Sequence, residues 1–135
     1  MNGAPPPHVA GEYLFVYGTL RGGGGAAGKL RGCAFLGTAC VAGALYDVNG
    51  EYPTLVPDGS GSVVGEVWRC PAAVLRRLDR YEGLAAGLYS RVRVRAGEHD
   101  CWTYVAGPAL AEVLIPERRI ASGCWLTHLR RDSAG

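Results

Sequence analysis

With 135 residues, 48% of them hydrophobic, the chain suits one domain with a packed core and is too apolar to be disordered. Its formal net charge is only +2 and it carries no basic patch with interleaved aromatics, so nucleic acid is not an expected partner. No apolar run approaches the roughly 20 residues of a membrane span, so no membrane is expected either.

Residues 1–12, opening MNGAPPPHVAG, lack the basic start and apolar centre of a signal peptide and read as a flexible lead-in to a single domain over 13–131, with a short tail at 132–135. The five cysteines are an odd number, widely spread and without a C-x-x-C pair, which argues against a disulfide framework and against a zinc site. Small buried thiols in a reducing cytoplasm are the expectation, with no metal.

Tyr13 to Tyr17, YLFVY, is an apolar aromatic run suited to a buried strand, broken by Gly18 and Thr19. Cys33 to Tyr46 alternates loosely around Gly37 and Gly43, as one bulged strand or two. Asp47-Val48-Asn49-Gly50 signals a turn. Tyr52 to Val56 contains Pro53, which reads as an edge strand or an irregular passage. Val63 to Arg69 is a further strand.

Residues 71–83, PAAVLRRLDRYEG, read as a helix. Pro71 suits its first turn, Gly83 the position past its end, and Val74, Leu75 and Leu78 share one face. Arg76, Arg77, Asp79 and Arg80 point elsewhere. The next position on the apolar stripe, four after Leu78, is Glu82. Burial there, at the negative end of the helix dipole, disfavours the ionised carboxylate and raises its pKa, as a general acid/base requires. An early-fraying helix with a solvated Glu82 fits the spacing equally well. No other acidic residue falls on a buried stripe.

Leu88 to Arg95 alternates, with Tyr89, Arg91, Arg93 and Arg95 on one face, the three arginines reading as solvated. Gly97-Glu98-His99-Asp100 is a hairpin turn and Cys101 to Val105 its return strand. Ser122 to Leu126 opens a terminal helix that runs to Arg130-Arg131. Many short strands with one clear helix point to a curled or barrel-like mixed sheet.

Gly23 to Lys29, GGGAAGK, has the spacing of a phosphate-binding loop, but Leu30 follows where Ser or Thr would hold Mg²⁺, so it reads as a chance match. His8, His99 and His128 stand near no nucleophile-elbow pattern. Tyr17, Tyr46, Tyr52, Tyr89 and Tyr104 lie in strands, where tyrosine is more often core than site.

Tyr17-Gly18-Thr19-Leu20-Arg21 and Tyr81-Glu82-Gly83, with GALYDVNGEYPTLVP (43–57), GEVW (65–68), Tyr89 and Tyr104, resemble the γ-glutamylcyclotransferase-like family in order and spacing over about residues 13–126. The resemblance implies an α+β fold, a small mixed β-barrel with one main catalytic helix. It implies release of 5-oxoproline and a free amine from a small-molecule γ-glutamyl amide, without metal or cofactor. It makes Glu82 the acid/base and Tyr17, Gly18, Thr19 and Leu20 the cradle for the glutamyl group, with Tyr104 and Tyr89 as further binding contacts. The leaving amine is left open, from an amino acid to a natural-product amine, and so is the oligomeric state. The rival reading is a non-catalytic binding module that keeps the fold and a γ-glutamyl-sized pocket. Cys124 stands where members often have Asp, so a polar tie ahead of Trp125 is expected to be missing.

Overall fold

The computed structural model describes residues 12–18, 30–48, 52–57, 61–81, 87, 89–107, 110 and 114–128. Its strands are β1 (Glu12–Val16), β2 (Ala34–Ala42), β3 (Ala44–Val48), β4 (Tyr52–Val56), β5 (Ser62–Cys70), β6 (Tyr89–Ala96) and β7 (His99–Ala106), with the helix α1 (Ala72–Tyr81) between β5 and β6 and a 3-10 turn at Pro116–Arg118. The strand order is β2-β5-β1-β7-β4-β3, and β6 pairs with β7 beside that path. β1 and β4 run parallel to β7, whereas the other pairings are antiparallel.

β7 is the hub. β6 lies along its whole length, from His99 opposite Ala96 to Ala106 opposite Tyr89. A strand has only two edges, so β1 (at Trp102) and β4 (at Val105) must share the other one in succession. The sheet curls until β6 approaches β2, and the β6–β7 turn reaches Ala39, 4.0 Å from a Cβ built on Gly97. The α+β class and the curled mixed sheet with one main helix are thus those read from the sequence. Among the described residues no helix is long and apolar enough to cross a membrane.

Alternation along β1 divides the core. Leu14 and Val16 join the cluster under α1 with Val74, Leu75 and Leu78, while Phe15 and Tyr17 fill the inside of the curl with Val63, Val67, Val105 and Trp125. Burial of Val74, Leu75 and Leu78 stabilises α1 against the sheet by roughly 1.5–3 kcal/mol each. Pro71 sits one place ahead of the helix, and its carbonyl accepts the N–H groups of Val74 (3.0 Å) and Leu75 (3.3 Å). Inside the curl, Gly65 leaves room for Phe15, whose Cζ would stand 2.6 Å from a Cβ there.

The stretch from Cys33 to Tyr46, read as one bulged strand or two, is two strands parted at Gly43, with a register shift between Phe35 and Gly37. Other expectations change. β4 lies between β7 and β3 in the sheet, not at its edge. Proline is tolerated there because the Pro53 carbonyl faces Tyr89, away from β3, and its absent N–H would face the same way. Glu66 and Asp47 are buried acids that the helix stripe did not disclose; Glu66 accepts the Trp68 Nε1–H at 3.0 Å and Asp47 meets His128 Nε2 at 2.7 Å. Not all thiols are buried, since Cys40 is exposed.

The tail packs well despite Cys124. Ser122 Oγ accepts the Cys124 N–H at 3.3 Å, supplying a polar tie from two residues upstream. Ile120 N–H donates to Leu45 O (2.7 Å) and Val64 N–H to Gly123 O (2.8 Å), and Trp125 seats inside the curl at 2% exposure. A helical turn follows over 125–128.

Candidate active site

β1 stops at Val16, and Tyr17 and Gly18 carry the chain beyond it to the point where β7's shared edge passes from β1 to β4. The Tyr17 hydroxyl fills that junction. It donates to the Tyr104 carbonyl of β7 and accepts the Leu55 N–H of β4 at 3.2 Å. One side chain therefore splices three strands where main-chain pairing changes partners.

Pro53 closes over the same place. A Cβ on Gly18 would stand 2.7 Å from Pro53 Cγ, so only glycine allows this approach without displacement. The Pro53 carbonyl accepts the Tyr89 hydroxyl at 2.8 Å, which ties β6 to β4.

The helix enters through Tyr104. Its hydroxyl donates to Asp79 Oδ1 at 2.8 Å and approaches the Leu75 carbonyl at 3.5 Å, so β7 is pinned to the second half of α1. Arg91, directly opposite Tyr104 on β6, places Nε 2.9 Å from the same Asp79 oxygen. That N–H is not aimed along a hydrogen bond, so the contact is an ion pair. Arg91 also lies over the Trp102 ring, 4.5 Å from its centroid, with Arg93 4.2 Å from it. The expected solvated arginine face is therefore wrong for Arg91, because α1 covers that end of β6.

Of the expected site residues, Tyr89 and Tyr104 lie in the cluster under α1, Tyr89 on the Pro53 carbonyl and Tyr104 on Asp79, with Gly18 against Pro53. The Tyr17 ring lies in the other cluster, inside the curl, and meets them through the Tyr104 carbonyl and the Leu55 N–H. Glu82, Thr19 and Leu20 lie outside the described residues, as does the Gly23 to Lys29 loop. Asp79 and Arg91 were missed as site residues. A signal was present: Asp79 is four residues after Leu75 and three before Glu82, and Arg91 is two after Tyr89 on an alternating strand. Among the described residues no group of three or more His, Cys, Asp or Glu side chains is placed to hold a metal ion.

Comparison with known proteins points the same way. Residues 14–127 match the family model described as gamma-glutamyl cyclotransferase, AIG2-like. The gamma-glutamylcyclotransferase family protein YtfP of Escherichia coli K12 is 33% identical over 84% of this chain and 95% of its own. The gamma-L-glutamyl-butirosin B gamma-glutamyl cyclotransferase of Niallia circulans is 33% identical over 68% of this chain and 65% of its own. The solution structure of E. coli ytfP superposes with a TM-score of 0.65 at 34% identity, covering 84% of this chain and 96% of that one. The crystal structure of an uncharacterized Pyrococcus horikoshii protein, PH0828, reaches 0.73 at 24% identity over 91% and 96%.

Proposed function

The chain belongs to the gamma-glutamyl cyclotransferase, AIG2-like family, and from that premise we propose that it releases 5-oxoproline and a free amine from a γ-glutamyl amide. The observation that supports this reading is the meeting of Gly18 and Tyr89 at Pro53 and of Tyr104 with Asp79 on the helix that precedes Glu82 in the chain, with the Tyr17 hydroxyl on the Tyr104 carbonyl.

The reaction is intramolecular. The substrate's α-amine attacks its own γ-carbonyl, the C–N bond to the leaving amine breaks, and a five-membered lactam closes. The α-amine is mostly protonated near neutral pH, so Glu82 first accepts a proton from it. The same carboxyl then returns a proton to the departing nitrogen, so no net acid or base is consumed. Main-chain N–H groups around Gly18 and Thr19 bind the α-carboxylate or the developing oxyanion, and a glycine permits that close approach. Holding the flexible glutamyl chain curled supplies the attack geometry. Leu20, Tyr89 and Tyr104 complete the enclosure as binding contacts.

The leaving group is an amine of unassigned class. The kinship to a butirosin-type enzyme makes a natural-product amine one arm of the panel, beside γ-glutamyl amino acids and γ-glutamyl alkylamines. The free thiols fit a reducing, cytoplasmic setting. The test is 5-oxoproline release across that panel by wild type and by Glu82→Gln, which keeps shape but cannot shuttle a proton. Turnover is expected to fall about 10²–10⁴-fold with the fold intact. A folded, fully active Glu82→Gln variant would end this assignment, and no release from any substrate would favour a binding module instead.

A further inference from the structure

At the other end of α1 two cysteines meet. β2 and β5 are antiparallel with Ala34 opposite Arg69, so one step outward along that ladder sets Cys33 opposite Cys70. Directly opposed residues in such a ladder have Cα atoms about 4.5–5.5 Å apart. A disulfide spans roughly 4.4–6.8 Å between Cα atoms, a range that includes the separation of opposed residues in such a ladder, whose last pair Cys33 and Cys70 adjoin. Cys33 packs against the buried cluster that contains Cys70. Cys33 ends a turn closed by its N–H on the Leu30 carbonyl at 2.9 Å, and its side chain is half-buried, within reach of solvent. Cys70 is fully buried and immediately precedes Pro71 and α1.

The surroundings distinguish the two sulfurs. The Cys70 side chain and the nearby Arg77 guanidinium lower the pKa of Cys33, against the opposing effect of burial. Arg77 reaches that turn through the Arg31 carbonyl, at 3.5 Å. The Cys33 side chain and burial push the Cys70 thiol far upward. The other ladder cysteines are not so paired: Cys40 stands opposite Val64 and Cys101 opposite Val94. Burial also pushes the Cys101 thiol up to about 11.

We propose that Cys33 and Cys70 are a redox-active thiol pair, a modification site that a hydroperoxide converts to an intrachain disulfide. The Cys33 thiolate attacks a peroxide oxygen, the O–O bond breaks, and Cys33 becomes a sulfenic acid while alcohol or water leaves. The Cys70 sulfur, giving up its proton, then attacks the Cys33 sulfur and expels hydroxide, which takes up that proton as water. Two thiols and one hydroperoxide thus yield one disulfide, one alcohol or water, and one further water. Cys33 is the attacking thiol and Cys70 the resolving one. The bond ties the turn at residues 30–33 to the root of the helix that carries Asp79 toward Glu82.

The test uses the full chain with Cys40→Ser and Cys124→Ser, which removes the accessible competing thiols and leaves Cys33, Cys70 and Cys101. The protein is reduced, freed of reductant, treated with equimolar hydrogen peroxide and digested with trypsin without reduction. The expected product is a Cys33-containing peptide linked to the peptide beginning at Cys70, with Cys101 still a thiol. Peroxide with dimedone and the further change Cys70→Ser should trap sulfenic acid at Cys33. If that variant fails to fold, the linked peptide from the parent decides alone. Recovery of both thiols unchanged, or of Cys33 as sulfinic acid beside a free Cys70, would overturn the proposal. None of these readouts depends on turnover.

Discussion

Replacing Tyr17 with Phe keeps the ring in the core and removes one oxygen, so it isolates what the hydroxyl does at the junction of β1, β4 and β7. The ring is only 6% exposed, and its oxygen serves the Tyr104 carbonyl and the Leu55 N–H. Phe leaves both main-chain groups short of this partner in a place water does not readily reach. Each buried group so deprived costs about 1–3 kcal/mol, and the carbonyl, with a second lone pair, falls at the low end, giving about 2–4 kcal/mol together. For a chain of 135 residues, with roughly 3–4 °C per kcal/mol, Tm should fall by about 6–16 °C. Thermal unfolding by circular dichroism reads the shift, and a urea titration with unchanged m-value attributes it to stability. A hydroxyl acting chiefly as a substrate contact behaves differently: KM rises and Tm stays. An unchanged Tm in Tyr17→Phe, whatever its activity, refutes the splice.

Gly18→Ala places a Cβ 2.7 Å from Pro53 Cγ, and should cost about 1–3 kcal/mol by overpacking while raising KM for a γ-glutamyl substrate, measured by unfolding and initial rates. Asp79→Asn keeps an acceptor for Tyr104 but removes the charge facing Arg91; with side-chain exposures of 21% and 24% the loss should be about 1–2 kcal/mol. A double-mutant cycle of Asp79→Asn with Tyr104→Phe should show coupling of at least about 0.5 kcal/mol, and strict additivity would dissolve the network. Gly123→Ala combines φ of +67° with a Cβ 2.0 Å from the Ser62 carbonyl oxygen, so it should be the most damaging glycine change in the tail, with a loss above about 3 kcal/mol in chemical denaturation.

The features legible in the sequence are those a local period dictates. Val74, Leu75 and Leu78 recur at helical spacing, and all three are buried under α1. Tyr89 to Arg95 alternates at spacing two, and β6 pairs with β7 across a turn at Gly97. The strand expected over Tyr13 to Tyr17 is β1, shifted by one residue to Glu12–Val16. Such patterns say which residues share a face; they do not say what covers it. That is why Arg91 read as solvated, when Asp79 comes down on it from a helix that precedes it in the chain. It is also why Pro53 read as an edge signal, when its carbonyl turns toward Tyr89 on the far side from β3.

Glu66 and Asp47 were invisible for the same reason, since each is buried by partners brought in from elsewhere in the fold or by its own strand's packing. The candidate site shows both sides of this division. Its residue types and order, Tyr17-Gly18, Tyr89, Tyr104, stood in the sequence, while the reason they converge did not. The sharing of one β7 edge by β1 and β4 joins Leu14 to Trp102 and Leu55 to Val105. Such parallel pairings have no short connection and no turn to announce them. Tertiary structure decided them, because only when β7 has taken β6 on one side does a single edge remain for two strands, leaving a gap that the Tyr17 hydroxyl fills.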